Sequence, residues 1–226
     1  MTGRRELYLQ EMGLGPVWRL KPAAVEPPAL ADLQSMDRNE LEAVVANCTA
    51  CGLHKTRTQT VFGVGDENAD WLFVGEAPGA DEDAQGEPFV GQAGKLLDNM
   101  LKSIGLQRNK NVYIANVLKC RPPGNRNPQP EEVAKCIPYL ERQIALIRPK
   151  LIVALGKFAA QTLLGQEVTV ASLRGKVHSY QGTPLIVTYH PAYLLRTLQD
   201  KAKAWEDLCL ARETMQGLNS GESAII

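Results

Sequence analysis

The sequence predicts an α/β fold of three layers, with helices on both faces of a central, mostly parallel four-stranded sheet. Three observations lead there. Continuous apolar runs such as Trp71-Leu72-Phe73-Val74 and Leu151-Ile152-Val153-Ala154-Leu155 stop at Gly75 and Gly156, and such runs read as strands buried on both faces. Stretches with apolar residues at helical spacing lie between them. The chain has 226 residues, 44% of them hydrophobic, which is enough to bury a core without disulfides.

Residues 1–35 read as a separate extension. Pro16, Pro22, Pro27 and Pro28 break any helix between Val17 and Leu33, and Trp18 and Leu20 are its bulky anchors. It is either a flexible leader or a docking segment for a protein partner. Residues 36–216 form the domain. An amphipathic stretch over 38–46 leads to Cys48, and residues 71–74 are the first strand. Leu96, Leu97, Met100, Leu101 and Ile104 place a helix over 93–104, ended by Gly105. The β-branched and aromatic run 111–118 is the second strand. A helix over 130–147 opens on Pro130 with Glu131 and Glu132 beside its positive end. Residues 151–155 are the third strand, 158–164 a short helix, 184–189 the fourth strand, and 192–215 are mostly helical. Residues 217–226 are a tail.

Lys and Arg number 25, as do Asp and Glu. That balance excludes DNA binding by bulk charge, while a local basic groove stays open. No apolar run approaches the roughly 20 residues of a membrane helix. The two arginines near the start have no apolar segment behind them, so no signal peptide is expected. We expect a cytoplasmic monomer with reduced cysteines.

Cys48 and Cys51 form a CxxC pair in a polar turn; 68 residues separate it from Cys120, and 15 separate Cys120 from Cys136. Four converging thiolates suit zinc or an iron–sulfur cluster, and spacing does not choose between them. Cys209, between two leucines, reads as a core residue. Two phosphate-loop look-alikes are rejected. Gly91-Gln92-Ala93-Gly94-Lys95 has too few residues between its glycines and Leu96 where Ser or Thr belongs; Gly63-Val64-Gly65 precedes its strand and lacks a third glycine.

Ligands of parallel sheets sit at strand carboxyl ends, where three segments fall. Gly75-Glu76-Ala77-Pro78-Gly79 is a turn whose backbone a ligand can approach closely. A second loop, 85–91, carries Phe89, equally a core plug or a stacking platform. Asn116 lies inside an apolar strand, so it is either a structural bridge or a reader of a base edge, since its amide both donates and accepts. His190-Pro191 opens a segment that continues through Leu194, Leu195 and Arg196.

In this order, with these cysteines, the motifs resemble the family 4, iron–sulfur uracil-DNA glycosylases, from Cys48 to Leu210. The resemblance implies a DNA repair enzyme that flips uracil from double- or single-stranded DNA and hydrolyses its N-glycosidic bond without strand cleavage. Cys48, Cys51, Cys120 and Cys136 would hold a structural 4Fe-4S cluster. Phe89 would stack on the base, Asn116 would read N3 and O4, and His190 would donate to O2 beside the Glu76–Ala77 turn. Leu194 and Leu195 would wedge the duplex and Arg196 would hold a phosphate. Better-known relatives place an aspartate where this chain has Ala77, so the water-handling role falls to Glu82, with Glu76 second. Arg121 and Arg126, with Lys119 nearby, are candidates for the DNA groove; the bland alternative for these and for Asp81-Glu82-Asp83 is solvated loop. Two other readings remain. One is a relative that binds or covalently traps uracil-DNA, which carries a histidine-containing loop not seen between Gly91 and Asn116. The other is a zinc-stabilised nucleic-acid-binding domain of replication, tethered through Trp18.

Overall fold

The computed structural model describes residues 11–13 and 30–220. The four prolines and two anchors of the extension, and the last six residues, lie outside them. The strands are β1 (Val64–Gly65), β2 (Trp71–Gly75), β3 (Val112–Asn116), β4 (Leu151–Leu155), β5 (Val177–Tyr180) and β6 (Thr183–Thr188). They form one sheet in the order β1-β3-β2-β4-β6-β5. The four expected strands are its parallel centre, β3-β2-β4-β6. The expectation of four strands falls two short, because β1 and β5 add antiparallel edges. Neither edge is an apolar run: β1 has two half-buried residues, and β5 buries Tyr180 alone. The β5–β6 hairpin turns on Gln181 and Gly182, at φ 49 and 86, the left-handed pair a two-residue turn requires. Gly65 explains one rejected look-alike: it lies on the edge strand, where a Cβ would collide with the Val112 carbonyl.

Alternation across each central strand divides the core in two. Leu72, Val74, Tyr113, Ala115, Ile152, Ala154, Leu185 and Val187 face one cluster; Trp71, Phe73, Val112, Ile114, Leu151, Val153 and Ile186 face the other. The helices are α1 (Leu30–Ser35), α2 (Arg38–Ala46), α3 (Ala80–Gln85), α4 (Gln92–Ser103), α5 (Pro130–Ile147), α6 (Lys157–Leu164), α7 (Val170–Leu173), α8 (Pro191–Leu194) and α9 (Lys201–Ser220). Leu41 and Val45 of α2, Tyr139 and Leu140 of α5 and Ala159 and Leu163 of α6 cover the first face. Leu97 and Leu101 of α4 and Leu208 and Ala211 of α9 cover the second. This is the three-layer arrangement.

Two expected boundaries move. Leu33 of α1 is buried in the core, so the end of the extension packs with the domain; α9 runs to Ser220, beyond the expected limit at 216. The helical stretch over 192–215 breaks at a 3-10 turn, Leu198–Asp200. In register, Gly75 stands beside Asn116 and Leu155 beside Thr188. The segments after β2, β3, β4 and β6 therefore open on one rim.

Candidate active site

That rim surrounds a cleft of about 780 Å³, with Glu76, Ala77, Phe89, Asn116, His190 and Arg196 among its walls. The absence of a side chain at Gly75 brings the first pieces together. A Cβ there would stand 2.5 Å from Phe89 Cζ and would collide with Asn116 Oδ1, so ring and amide share the space over one glycine. The Phe89 ring centroid is 5.5 Å from that of His190. On the other side Gly156 makes room for His190, whose Cβ lies 2.7 Å from where a Cβ at 156 would stand. Ring, amide and imidazole thus converge from two loops and the end of β3.

Each has a distinct electrostatic state. Asn116 is 2% exposed, and its Oδ1 is a buried oxygen without a hydrogen-bond partner among the described residues. A buried, unpaired carbonyl oxygen costs about 1–3 kcal/mol, so it is a standing acceptor for a ligand N–H. His190 Nδ1 accepts from the Ala192 N–H at 3.1 Å, which leaves the hydrogen on Nε2. Burial, with the nearby Arg196 charge, depresses His190 to about 4; at neutral pH it is an uncharged donor. Burial pushes the Glu76 carboxyl up to about 7.

Glu82 is occupied otherwise. Its Oε2 accepts from the Gly79 N–H at 3.0 Å, and its Oε1 from those of Val90 and Gly91 at 3.0 and 3.2 Å. It ties the Gly75–Gly79 turn to the Phe89 loop. The acidic triplet is not a solvated loop: it lies on α3, and Asp83 is buried, with both oxygens accepting from the Thr58 N–H. Phe89 sits at φ 57, a left-handed backbone that costs a non-glycine residue roughly 1–3 kcal/mol.

The cationic candidates separate. Arg196 is exposed at the rim. Arg126 is already paired, with Nη2 2.5 Å from Glu132 Oε1, and Arg121 Nε bonds Asn125 Oδ1 at 2.7 Å. Lys119 is no groove residue: it is 1% exposed, and its ammonium donates to the Asn116 carbonyl at 2.8 Å and to Gln143 Oε1 at 2.5 Å. Leu194, expected in a wedge, is also corrected: it is 1% exposed and packs in the second core cluster. Its neighbour Leu195 is 42% exposed, as helical geometry turns adjacent side chains apart.

Cys48, Cys51, Cys120 and Cys136 line one pocket between α2 and α5. The Arg57 guanidinium donates to Cys120 Sγ at 3.0 Å, the Lys119 N–H to Cys136 Sγ at 3.2 Å and Tyr139 Oη to Cys48 Sγ at 3.4 Å. Burial pushes the Cys136 thiol up to about 12 and raises Cys51 and Cys120, so these sulfurs stay protonated unless a bound cationic centre displaces their protons. The four thiols converge on one pocket, a donor set that suits zinc and an iron–sulfur cluster alike.

The chain belongs to the uracil DNA glycosylase superfamily, whose family model matches residues 62–209. Within it, the relatives at 40–52% identity are of type 4, and type-5 uracil-DNA glycosylases match at 32–33%. The type-4 uracil-DNA glycosylase of Archaeoglobus fulgidus is 52% identical over 171 residues, 72% of this chain and 84% of that protein. Those of Thermotoga maritima and Pyrobaculum aerophilum are 45% and 43% identical, over 74% and 77% of this chain and 89% and 93% of theirs.

Replacing Glu82 with Gln removes the charge that three N–H groups address. Thermal unfolding should report a loss of about 1–3 kcal/mol; an unchanged melting temperature would mean that the two loops hold without it.

Proposed function

We propose that this chain is a monofunctional uracil-DNA glycosylase that flips uracil from DNA and hydrolyses the bond between its N1 and the deoxyribose C1′. One observation carries this reading: the unpartnered Oδ1 of Asn116, buried beside an aromatic ring and a neutral imidazole. Uracil offers N3–H to that oxygen and O4 to an amide donor, while cytosine presents an acceptor at N3 and a donor at N4. A buried group left facing its like is what rejects the wrong base.

As the glycosidic bond lengthens, positive charge grows on the sugar and negative charge on N1 and O2 of the base. Nε2–H of His190 donates to O2, and a neutral donor does so without protonating the leaving group beforehand. The Phe89 ring stacks on the base. Glu76 is our choice for the group that orients and deprotonates the water adding to C1′: its carboxyl has no hydrogen-bond partner among the described residues and is tuned near neutrality, whereas Glu82 is spent on backbone N–H groups. Leu195 fills the gap in the duplex and Arg196 holds a phosphate, while extrusion costs a few kcal/mol, least at a mismatch.

Cys48, Cys51, Cys120 and Cys136 would hold a 4Fe-4S cluster, which supplies a cross-link between the CxxC turn and the Cys120–Cys136 segment rather than a step of the reaction. The thiols suit the reducing cytoplasm. No helix among the described residues is long and apolar enough to cross a membrane. We place residues 1–29 outside the catalytic unit, where they remain a candidate protein-docking segment, and the enzyme as a monomer.

The direct assay incubates the protein with a uracil-containing oligonucleotide and then adds alkali. Cleavage at uracil only after alkali supports a monofunctional glycosylase; no abasic product would overturn the reading, and cleavage without alkali would make it a lyase. For Glu76, kcat/KM should rise with pH and level off above about 7, because the working form is the carboxylate and kcat/KM reports the free enzyme's groups. Glu76→Gln should lose that limb; its persistence would assign it elsewhere. Purified protein should be brown, and Cys120→Ala should lose colour and thermal stability together. A colourless, zinc-containing protein would exclude the cluster.

A further inference from the structure

We infer that Arg108, anchored by Asp98, is a positioning residue that sets the Phe89 ring; this rests on the reading of Phe89 as the base-stacking platform. Phe89 keeps a left-handed backbone at φ 57, a conformation that a bulky residue holds only when its surroundings impose it. The imposing group is the Arg108 guanidinium. Its Nη1 donates to the Pro88 carbonyl at 2.9 Å and its Nη2 to the Phe89 carbonyl at 2.7 Å. The third edge, Nε, bonds Asp98 Oδ1 on α4 at 2.9 Å. One planar fork thus turns two successive carbonyls toward itself and holds them to a helix, which the point charge of a lysine does not do.

The loop is fixed from two further sides. Glu82 holds the N–H groups of Val90 and Gly91, the residues just after the ring. At Gly94 of α4, a Cβ would collide with the Phe89 carbonyl, so the helix presses on the loop through a bare α-carbon. This is the role of the second rejected look-alike: its glycine admits a carbonyl, not a phosphate. Arg108 is not among the walls of the cleft; its guanidinium is taken up by the Pro88 and Phe89 carbonyls and by Asp98, so its route to the cleft runs through Phe89. The Asp98–Arg108 pair is partly shielded, with side chains 39% and 19% exposed.

The test is a double-mutant cycle on single-turnover uracil excision with wild type, Arg108→Met, Phe89→Ala and the double variant. Arg108→Met should lower the rate by about 10- to 100-fold, the scale of an ångström-sized misplacement. In the Phe89→Ala background the same change should cost nothing more, because a positioning residue has nothing left to position. Equal losses in both backgrounds, or no loss in either, overturn the inference. Should Arg108→Met fail to fold, Asp98→Asn keeps the guanidinium but frees it; a several-fold loss confined to the Phe89 background is expected, and additivity again overturns it. A readout independent of turnover is the Phe89 ring signal by NMR in the DNA-free protein, which should shift or broaden in the Arg108 and Asp98 variants; an unmoved signal overturns the clamp. A wild type that fails to excise uracil while its ring still responds to these variants would sink the glycosylase reading and leave the clamp standing.

Discussion

The site depends on one parallel pairing. The register that sets Gly75 of β2 beside Asn116 of β3 brings two strand ends to the same height on the rim. Because residue 75 has no side chain, the space above it is shared by an amide from β3 and a ring from the loop that follows α3. A single methyl group there would displace both. Gly156 repeats the device on the next strand, where the bare backbone admits His190. The slot is therefore made by what two glycines leave out, and the sheet's rigidity passes to three side chains, one at the end of β3 and two on loops.

Burial then sets the chemistry. The same removal from water that keeps His190 uncharged lifts Glu76 toward neutrality, because a low-dielectric site disfavours the charged form of both acid and base. Opposite proton inventories result: an imidazole that donates without being a cation, and a carboxyl that is half ionised near pH 7. Glu82 is instead spent on three backbone N–H groups. Two acids close in sequence thus divide into one buried in the cleft wall and one bound to the chain.

Beneath the slot, the cysteine pocket and Asn116 meet at Lys119. Its N–H bonds Cys136 Sγ, and its ammonium bonds the Asn116 carbonyl. Burying an ammonium is costly unless its donors are satisfied, and Gln143, itself bonded to the Phe62 carbonyl, completes the network. The segment from Asn116 to Cys120 is thus held at both ends, one by the sheet and one by sulfur.

The apolar runs, their glycine stops and the order of the motifs were sufficient to specify the central strands, the layers and the family, since a strand buried on both faces can be built only from such runs. They also pointed to Phe89, Asn116, His190 and the four cysteines. Other features stayed hidden. The edge strands are too short and too polar for a pattern search. Leu194 and Leu195 look alike in sequence, and only packing sends one into the core. Lys119 and Arg126 read as free cations until their partners, 24 and 6 residues away, are seen. Arg108 has no local signal at all, because its meaning lies in two carbonyls 19 and 20 residues back in the chain. Composition and periodicity record what a segment buries; which group neutralises, clamps or frees a given side chain is settled by contacts between segments, which exist only once the chain has folded.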